Sequence, residues 1–506
     1  MRVLLSKRQQ RQLNIIEILN ESASWIHISE IAKAVKSSTR VILDDVRELK
    51  GFDDIFTLET SIDGIRISFL KNRSVQNYYS YILKNSPSFQ ILEYIFFNDS
   101  CTASQVSEAL FLSVSTVRRL VAEINKGLFT RYKIQIELSP CHLVGDETEI
   151  RYFFSQYFSE RMTCYEWPFD FSQRFLTDFI KFFADVVNIT LDYPRINFCK
   201  IVTAVNIVRL RHGYKLNIKT HSKSIYEQLI SHQNSHNMIS EFEKEFNLSF
   251  DYDILADLFI TFSKDDFIYS HDNFLEIIKT SPYMKLSYVT LETGLDKIAK
   301  AYDLEITNKG SLIVDVHNAE HLRNIQINSS FLIHDYKKEF VKNMFDRYPR
   351  LTSDFYQMVI SYRSALNRPH DNSMIIQLIY TLFTHWQGLR GQIQCKQLSV
   401  HIVTISSFDQ YHAMFLRDSL QNIFGGIITA EAYDGLDIEA KTLSSLKCDF
   451  LVGNVNIPAE LPFPYVLVNA SPNIRNIKEL YNVIDSFLKE KKADLPEVLN
   501  VPDLLK

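Results

Sequence analysis

Ser113, Ser115, Thr116, Arg118, Arg119 and Lys126 crowd one stretch of the chain, where Glu123 is the only acidic residue. Small hydroxyls and guanidinium groups at the start of a helix can hydrogen-bond base edges and phosphate oxygens. An earlier set, Arg40, Arg47 and Lys50, is offset by Asp44, Asp45 and Glu48. The later set is therefore expected to be the main reader. This chemistry is recognition rather than bond-making. The glycine motifs of phosphate loops, dinucleotide folds and nucleophile elbows are missing from a chain with 13 glycines, as are HExxH and zinc-type Cys/His spacings. No catalytic residue, metal ligand or cofactor is expected.

The elements that must hold these residues repeat. Ile28–Leu49 (ISEIAKAVKSSTRVILDDVREL) reads as two short helices. Ile28, Ile31, Ala34 and Val35 form the first apolar face, Lys36 and Ser37 break the period, and Ser38 caps a second helix carrying Ile42, Val46 and Leu49. Helices this short need a third to lean on, which the Leu13-Ile16-Leu19 stripe supplies. Shifted by 75 positions, Ala103–Asn125 falls into register without a gap: Ile31 with Val106, Ala34 with Ala109, Ile42 with Val117, Val46 with Val121, Leu49 with Ile124, and cap Ser38 with Ser113. Apolar positions persist while the solvent face changes, as when one supersecondary unit is used twice. The unit is a helix-turn-helix, whose second helix is shaped for a DNA major groove. Asp63-Gly64 marks a hairpin between Phe56–Thr60 and Ile65–Phe69, and a second ribbon, Lys133–Leu138 with Cys141–Val144, follows the second copy. Both copies read as winged helices.

The 506 residues have an ordinary apolar fraction of 46% and only 13 Gly and 13 Pro, so long flexible linkers are not expected. Net charge is −5, but residues 1–140 carry 18 Lys and Arg against 15 Asp and Glu. A mildly basic head on an acidic body suits few phosphate contacts rather than indiscriminate polyanion binding. The six cysteines, Cys101, Cys141, Cys164, Cys199, Cys395 and Cys448, show no paired spacing and read as reduced thiols of a cytoplasmic protein. No signal peptide is expected in the N-terminus, which is charged almost at once. The uncharged stretch Asn372–Leu389 contains too many polar residues for a membrane span and reads as a buried helix.

Behind the second ribbon, Leu143, Gly145, Glu147, Ile150 and Arg151 form an L-x-G-x-E-x-x-I-R pattern running into an aromatic-rich helix. There the chain resembles the Mga/RofA-like group of regulators that carry PTS-regulation domains (PRDs). In residue terms, Gly145 allows a turn, and Asp146 and Glu147 sit at the positive end of the next helix. The resemblance implies a mainly α chain: winged helices over 1–72 and 73–169, all-α PRD-like bundles over 170–283 and 284–393, and an α/β domain like the phosphotransferase IIB component over 394–506. The last part alternates strands (398–405, 426–430, 449–452, 465–468) with helices (410–424, 473–489), the pattern of a small parallel sheet. The IIB component presents a cysteine after its first strand. Here Ser406-Ser407-Phe408 stand in that loop, so the domain is expected to serve dimerisation or higher assembly.

The resemblance further implies control by phosphorylation of histidines from phosphorylated HPr or a related protein. His212 ends the helix Arg195–Arg211 before Gly213, among Arg209, Arg211 and Lys215, a setting that suits either a helix C-terminus or a phosphoryl group. His385 shares a face with Leu378, Leu382 and Leu389 and reads as a packing or interface residue before a target. His271 reads as an exposed loop residue, and His317, His321 and His334 are further candidates. The expected protein is a cytoplasmic activator binding double-stranded promoter DNA of surface or virulence genes in a Gram-positive coccus, not an enzyme. The rivals are a phosphocarrier, and an interaction module whose winged helices bind proteins.

Overall fold

The computed structural model describes residues 1–22, 24–163, 166–186, 191–216, 223–233, 235–259, 267–321, 331–393, 399–457 and 461–493. Cys164, Cys395 and Leu398 lie outside them. The described residues form two compact units, one of residues 1–267 with 321–336, the other of 268–320 with 337–506.

The first unit opens with the duplicated fold. Helices α1 (Lys7–Glu21), α2 (Ile28–Ala34) and α3 (Thr39–Leu49) precede strands β1 (Phe56–Ser61) and β2 (Gly64–Phe69). Helix α4 (Val75–Asn85) connects to α5 (Pro87–Phe97), α6 (Ala103–Ala109), α7 (Val114–Tyr132), β3 (Gln135–Leu138) and β4 (Cys141–Val144). The 75-residue shift holds in the backbone. Ser38 and Ser113 both accept the amide three residues on. Lys36 and Phe111, one shift apart, both take the left-handed conformation in the turn, at φ 52° and 53°. Ile26 and Cys101, again one shift apart, each add a bridge to their wing. Gly64 is required there, because at φ +129° a Cβ would sit 2.0 Å from the carbonyl oxygen of Ile26.

The core positions Ile31, Ile42, Val46, Leu49, Val106, Val117, Val121 and Ile124 are buried as expected, each contributing about 1.5–3 kcal/mol of burial. Ala34 and Ala109 are both exposed, and Ala32 turns inward instead. The inward stripes run through Ile28, Ile31, Ala32 and Val35 in one copy and Ala103, Val106 and Leu110 in the other, so positions 34 and 109 lie off them. The second ribbon starts at Gln135, not Lys133, because Lys133 takes a left-handed φ of 58° to end α7.

The same core continues into α8 (Glu147–Arg161), α9 (Gln173–Val186), α10 (Tyr193–Arg211), α11 (Lys223–Ser231), α12 (Ser235–Phe246) and α13 (Tyr252–Leu258). Helix α10 starts two residues before the expected Arg195, capped by Asp192 with Pro194 in its first turn. Aromatic side chains carry much of this core: Phe96 stacks on Phe154 at 4.3 Å and Phe183 on Phe259 at 3.8 Å. Leu332 and Ile333, remote in sequence, complete it.

Glu17 on α1 lies beside this remote segment. Burial raises its pKa, but hydrogen bonds from His334 and Arg2 outweigh that and hold it at about 2, against an ordinary 4.5. The folded value lies below the unfolded one, so the stabilisation is present above pH 4.5 and is lost as pH falls towards 2. A difference of that size is roughly 3 kcal/mol. Denaturant unfolding across that window should lose this acid-dependent component in Glu17→Gln; an unaltered pH profile would assign it elsewhere.

The second unit begins with helices His271–Ile277, Pro282–Tyr302, Lys309–His321, Tyr336–Arg347, Pro349–Ala365, Asn372–His385 and Leu389–Ile393 around Leu291, Leu295, Phe355, Leu378 and Leu382. Most of the uncharged stretch, Asn372–His385, is a helix capped by Asp371 and buried along Met374–Ile379, Thr381 and Leu382; it ends before Trp386. No described helix is long and apolar enough to cross a membrane. A four-stranded sheet follows, ordered β6-β5-β7-β8, with β5 (Val400–Ile405), β6 (Ile428–Ala432), β7 (Phe450–Gly453) and β8 (Tyr465–Leu467) all parallel. Along β5, Val400 and Ile402 pack with Leu416 and Leu420 of helix Gln410–Phe424, while Val403 and Ile405 face Leu443 and Leu451. That two-sided burial explains why this parallel strand is apolar apart from His401 and Thr404.

Candidate nucleic-acid interface

Both recognition helices are open to solvent. On α7, Ser113, Ser115, Arg118, Arg119 and Lys126 are exposed and Thr116 is half-buried, while Val117, Val121 and Ile124 pin the opposite face. Ser113 is held as a cap: its hydroxyl meets Ser115 Oγ at 2.9 Å and Thr116 Oγ1 at 2.8 Å and accepts the Thr116 amide at 3.1 Å. Ser113 thus shapes the helix start, and Ser115 beside it is the exposed hydroxyl. Arg119 pairs with Glu123 at 2.9 Å. Arg118 and Lys126 have no acidic partner among the described residues.

The first copy is more cationic on its outer face than its sequence suggests. Asp45 is buried and bound by Arg11, with Arg8 at 3.4 Å; Arg8 also takes Glu48 at 2.5 Å. Two of the three acids set against Arg40, Arg47 and Lys50 are thus consumed by α1. Asp44 is exposed and bonded to Arg47 at 3.0 Å, Glu48 is exposed but paired with Arg8, and Arg40 is exposed. Lys50 reaches Thr60 Oγ1 on the wing at 3.1 Å. Local sequence counts charges along one helix and cannot see that α1 neutralises two of them. By register Arg40 corresponds to Ser115, and half-exposed Leu43 to Arg118. The two helices therefore offer different side chains at equivalent places.

Behind the second wing the L-x-G-x-E-x-x-I-R residues form a buried ionic knot. Gly145 makes the turn at φ +148°, with Ile134 where a Cβ would go. Asp146 caps α8 by accepting the Thr148 and Glu149 amides. Glu147 opens α8 as expected, and its carboxylate also accepts Arg151 Nε at 2.8 Å and Arg209 in two bonds at 2.9 and 2.7 Å. Arg151 also binds Asp257, and donates to the Tyr214 carbonyl at 2.8 Å. Burial raises the Asp257 carboxyl, against the pull of Arg151. Arg209 lies over the Tyr214 ring at 3.8 Å, and its Nη1 is buried with no hydrogen-bond partner among the described residues.

Three residues beyond Arg209, His212 is the C-cap of α10, with Gly213 left-handed at φ +86° as expected. Its Nδ1 is also buried, with no hydrogen-bond partner among the described residues. Burial lowers its pKa, opposed by Asp99, so the ring is neutral near pH 7. Arg211 is drawn to Asp170 at 2.7 Å. Asp99 and Asp170 were not signalled by sequence, since they lie far along the chain.

The other histidines sit differently from expectation. His385 is exposed rather than packed, paired with Asp315 at 2.8 Å, because it is the last residue of its helix. His271 is not in a loop. It starts a helix, contacts the Tyr288 hydroxyl at 3.0 Å and lies where Gly310 leaves room for its ring. His317 is wholly buried against Ser287 Oγ at 2.8 Å, and His321 is buried too. His334 stacks on Tyr79. In the loop after β5, Ser406 Oγ bonds His412 Nδ1 at 2.8 Å, and His412 Nε2 meets the Ala470 carbonyl at 2.7 Å.

Family models match the chain in the order of its parts. The M protein trans-acting positive regulator (MGA) HTH domain matches residues 6–64, the Mga helix-turn-helix domain 71–158, and the M protein trans-acting positive regulator (MGA) PRD domain 172–389. A protein of Streptococcus pneumoniae serotype 4, provisionally named a trans-acting regulator, is 28% identical over 484 residues, 95% of this chain and 98% of that protein. The capsule synthesis positive regulators AcpA and AcpB of Bacillus anthracis are 24% and 20% identical over 237 and 272 residues. Those spans cover 45% and 53% of this chain, and 48% of AcpA and 56% of AcpB.

Proposed function

The chain belongs to the Mga-like regulators, and from that premise we propose that it is a cytoplasmic transcriptional activator that binds promoter DNA through both winged helices and is tuned by histidine phosphorylation. The observation that carries the reading is the pair of in-register helix-turn-helix units whose recognition helices are both exposed. Ser115, Thr116, Arg118, Arg119 and Lys126 would read one groove segment and Arg40 and Arg47 another, with Ser113 setting the helix start. The named roles of the relatives, trans-acting regulation and positive control of capsule synthesis, favour activation of surface or virulence genes. A genome-wide binding profile, with the oligomeric state of the purified protein measured alongside, tests it; no enrichment at promoters would overturn it.

For phosphorylation, His212 is the first choice. A neutral imidazole with an unoccupied nitrogen is the form that accepts a phosphoryl group, and the unpartnered Arg209 Nη1 lies in the same corner of the fold. The added charge of about −1.5 to −2 would act on a buried knot of arginines and carboxylates. Phosphorylated HPr or a related protein is the proposed donor. Incubation with that labelled donor should label the chain, and His212→Ala should remove most of the label. Unchanged labelling would move the site to His385 or His271. The α/β domain is proposed as a IIB-like scaffold kept for homodimer or larger assembly.

A further inference from the structure

Residues 331–336 lie in sequence between helices Lys309–His321 and Tyr336–Arg347, yet Leu332 and Ile333 are buried in the core of the first unit. Backbone and side-chain bonds fasten them there. Glu160, near the end of α8, accepts the Leu332 and Ile333 amides at 2.5 and 3.0 Å. Arg2 donates to the Ile333 carbonyl at 2.6 Å while holding Glu17 of α1 at 2.8 Å. Arg131, at the end of α7, reaches the Phe331 carbonyl at 3.4 Å. His334 stacks on Tyr79 of α4, with ring centroids 5.5 Å apart, and approaches Glu17 at 3.4 Å; the Tyr79 hydroxyl donates to Glu17 at 2.9 Å.

The partners of this short segment come from both winged helices. Arg2 and Glu17 belong to the first, Arg131 ends the second's recognition helix, Tyr79 is on the connector, and Glu160 is on the helix that leaves the second wing. Leu4 packed on Gly127 of α7 is a separate link between the two. Loss of the segment would therefore loosen the pair without dispersing it. Two heads held at a fixed separation bind one duplex with a high effective concentration for the second contact, and only at matching half-site spacing.

We propose that residues 331–336 are a rivet that fixes the spacing of the two recognition helices within the first unit. The DNA half of the inference rests on the reading that both winged helices bind duplex.

The test uses the full chain with Cys164, Cys395 and Cys448 changed to serine and spin labels on Lys33→Cys and Glu108→Cys, exposed positions one shift apart and off the recognition helices. Without DNA, the parent should give one narrow distance distribution. Leu332→Ala with Ile333→Ala, and separately the milder Glu160→Gln, should broaden it. On duplexes carrying 5 extra base pairs between the two footprints, the parent should lose at least about 10-fold in affinity and the variants no more than about 3-fold. A distribution as narrow in the folded variants as in the parent overturns the rivet. A parent that binds no duplex at all overturns instead the DNA-binding reading, which the label distances do not depend on.

Discussion

Alanine at Arg118 and Arg119 together should lower affinity for the target promoter by about 100-fold or more while leaving the thermal unfolding midpoint within a degree or two. Both side chains are exposed and neither belongs to the core, so the fold does not need them. A good guanidinium contact to a base edge is worth about 1–3 kcal/mol, and two lost contacts multiply. The single variants should differ. Arg118 meets no acid among the described residues, whereas Arg119 must first leave Glu123, so Arg118→Ala should cost more. If either arginine touches phosphate rather than a base, the slope of log affinity against log salt should shrink by about one per contact. Because Asp45 and Glu48 are taken up by Arg8 and Arg11, Arg40→Ala with Arg47→Ala should also weaken binding. Unchanged affinity in a mobility-shift titration of the Arg118/Arg119 variant would remove α7 as the reader.

Glu147→Ala should destabilise the first unit by about 3–5 kcal/mol, the range for breaking a buried pair from one side. Glu147 and Asp257 face Arg151 and Arg209, two anions against two cations, with Arg209 wholly buried and Arg151 nearly so. Removing Glu147 leaves Arg209 with its guanidinium on an aromatic ring and no carboxylate. Glu147→Gln should cost less, because an amide oxygen still accepts one bond. Denaturant unfolding measures both; a loss below about 1 kcal/mol for Glu147→Ala would mean that water or a rearranged Asp257 replaces the missing charge.

The duplicated fold was legible because its signals are local. A cap serine, a helical apolar period and a broken turn recur at one shift, and the backbone repeats them down to the left-handed residues at Lys36 and Phe111. The parallel sheet was legible for a related reason, since β5 is apolar on both faces. Side-chain partners across long separations were not. Nothing near Asp45 says that Arg11 will claim it, and nothing near Glu147 says that its second partner is 62 residues away. The same holds for His385, whose apolar neighbours suggested packing although its position at the helix end turns it to Asp315. The segment around Leu332 shows the limit most plainly, because its hydrophobic residues gave no hint of which core they join.

Helix α7 has one more consequence. It runs unbroken for 19 residues, from the groove-facing end at Val114 to Tyr132, whose hydroxyl is tied to Gln156 of α8 at 2.6 Å. At 1.5 Å per residue this is a stiff lever about 28 Å long. A tilt of about 5° at its anchored base would swing the far tip by roughly 2.5 Å over such a length, more than a bidentate hydrogen bond tolerates. Because Val117, Val121 and Ile124 fix α7 in its core, such a tilt would carry the second winged helix with it and shift contacts at Arg118 without any change in the reading surface itself.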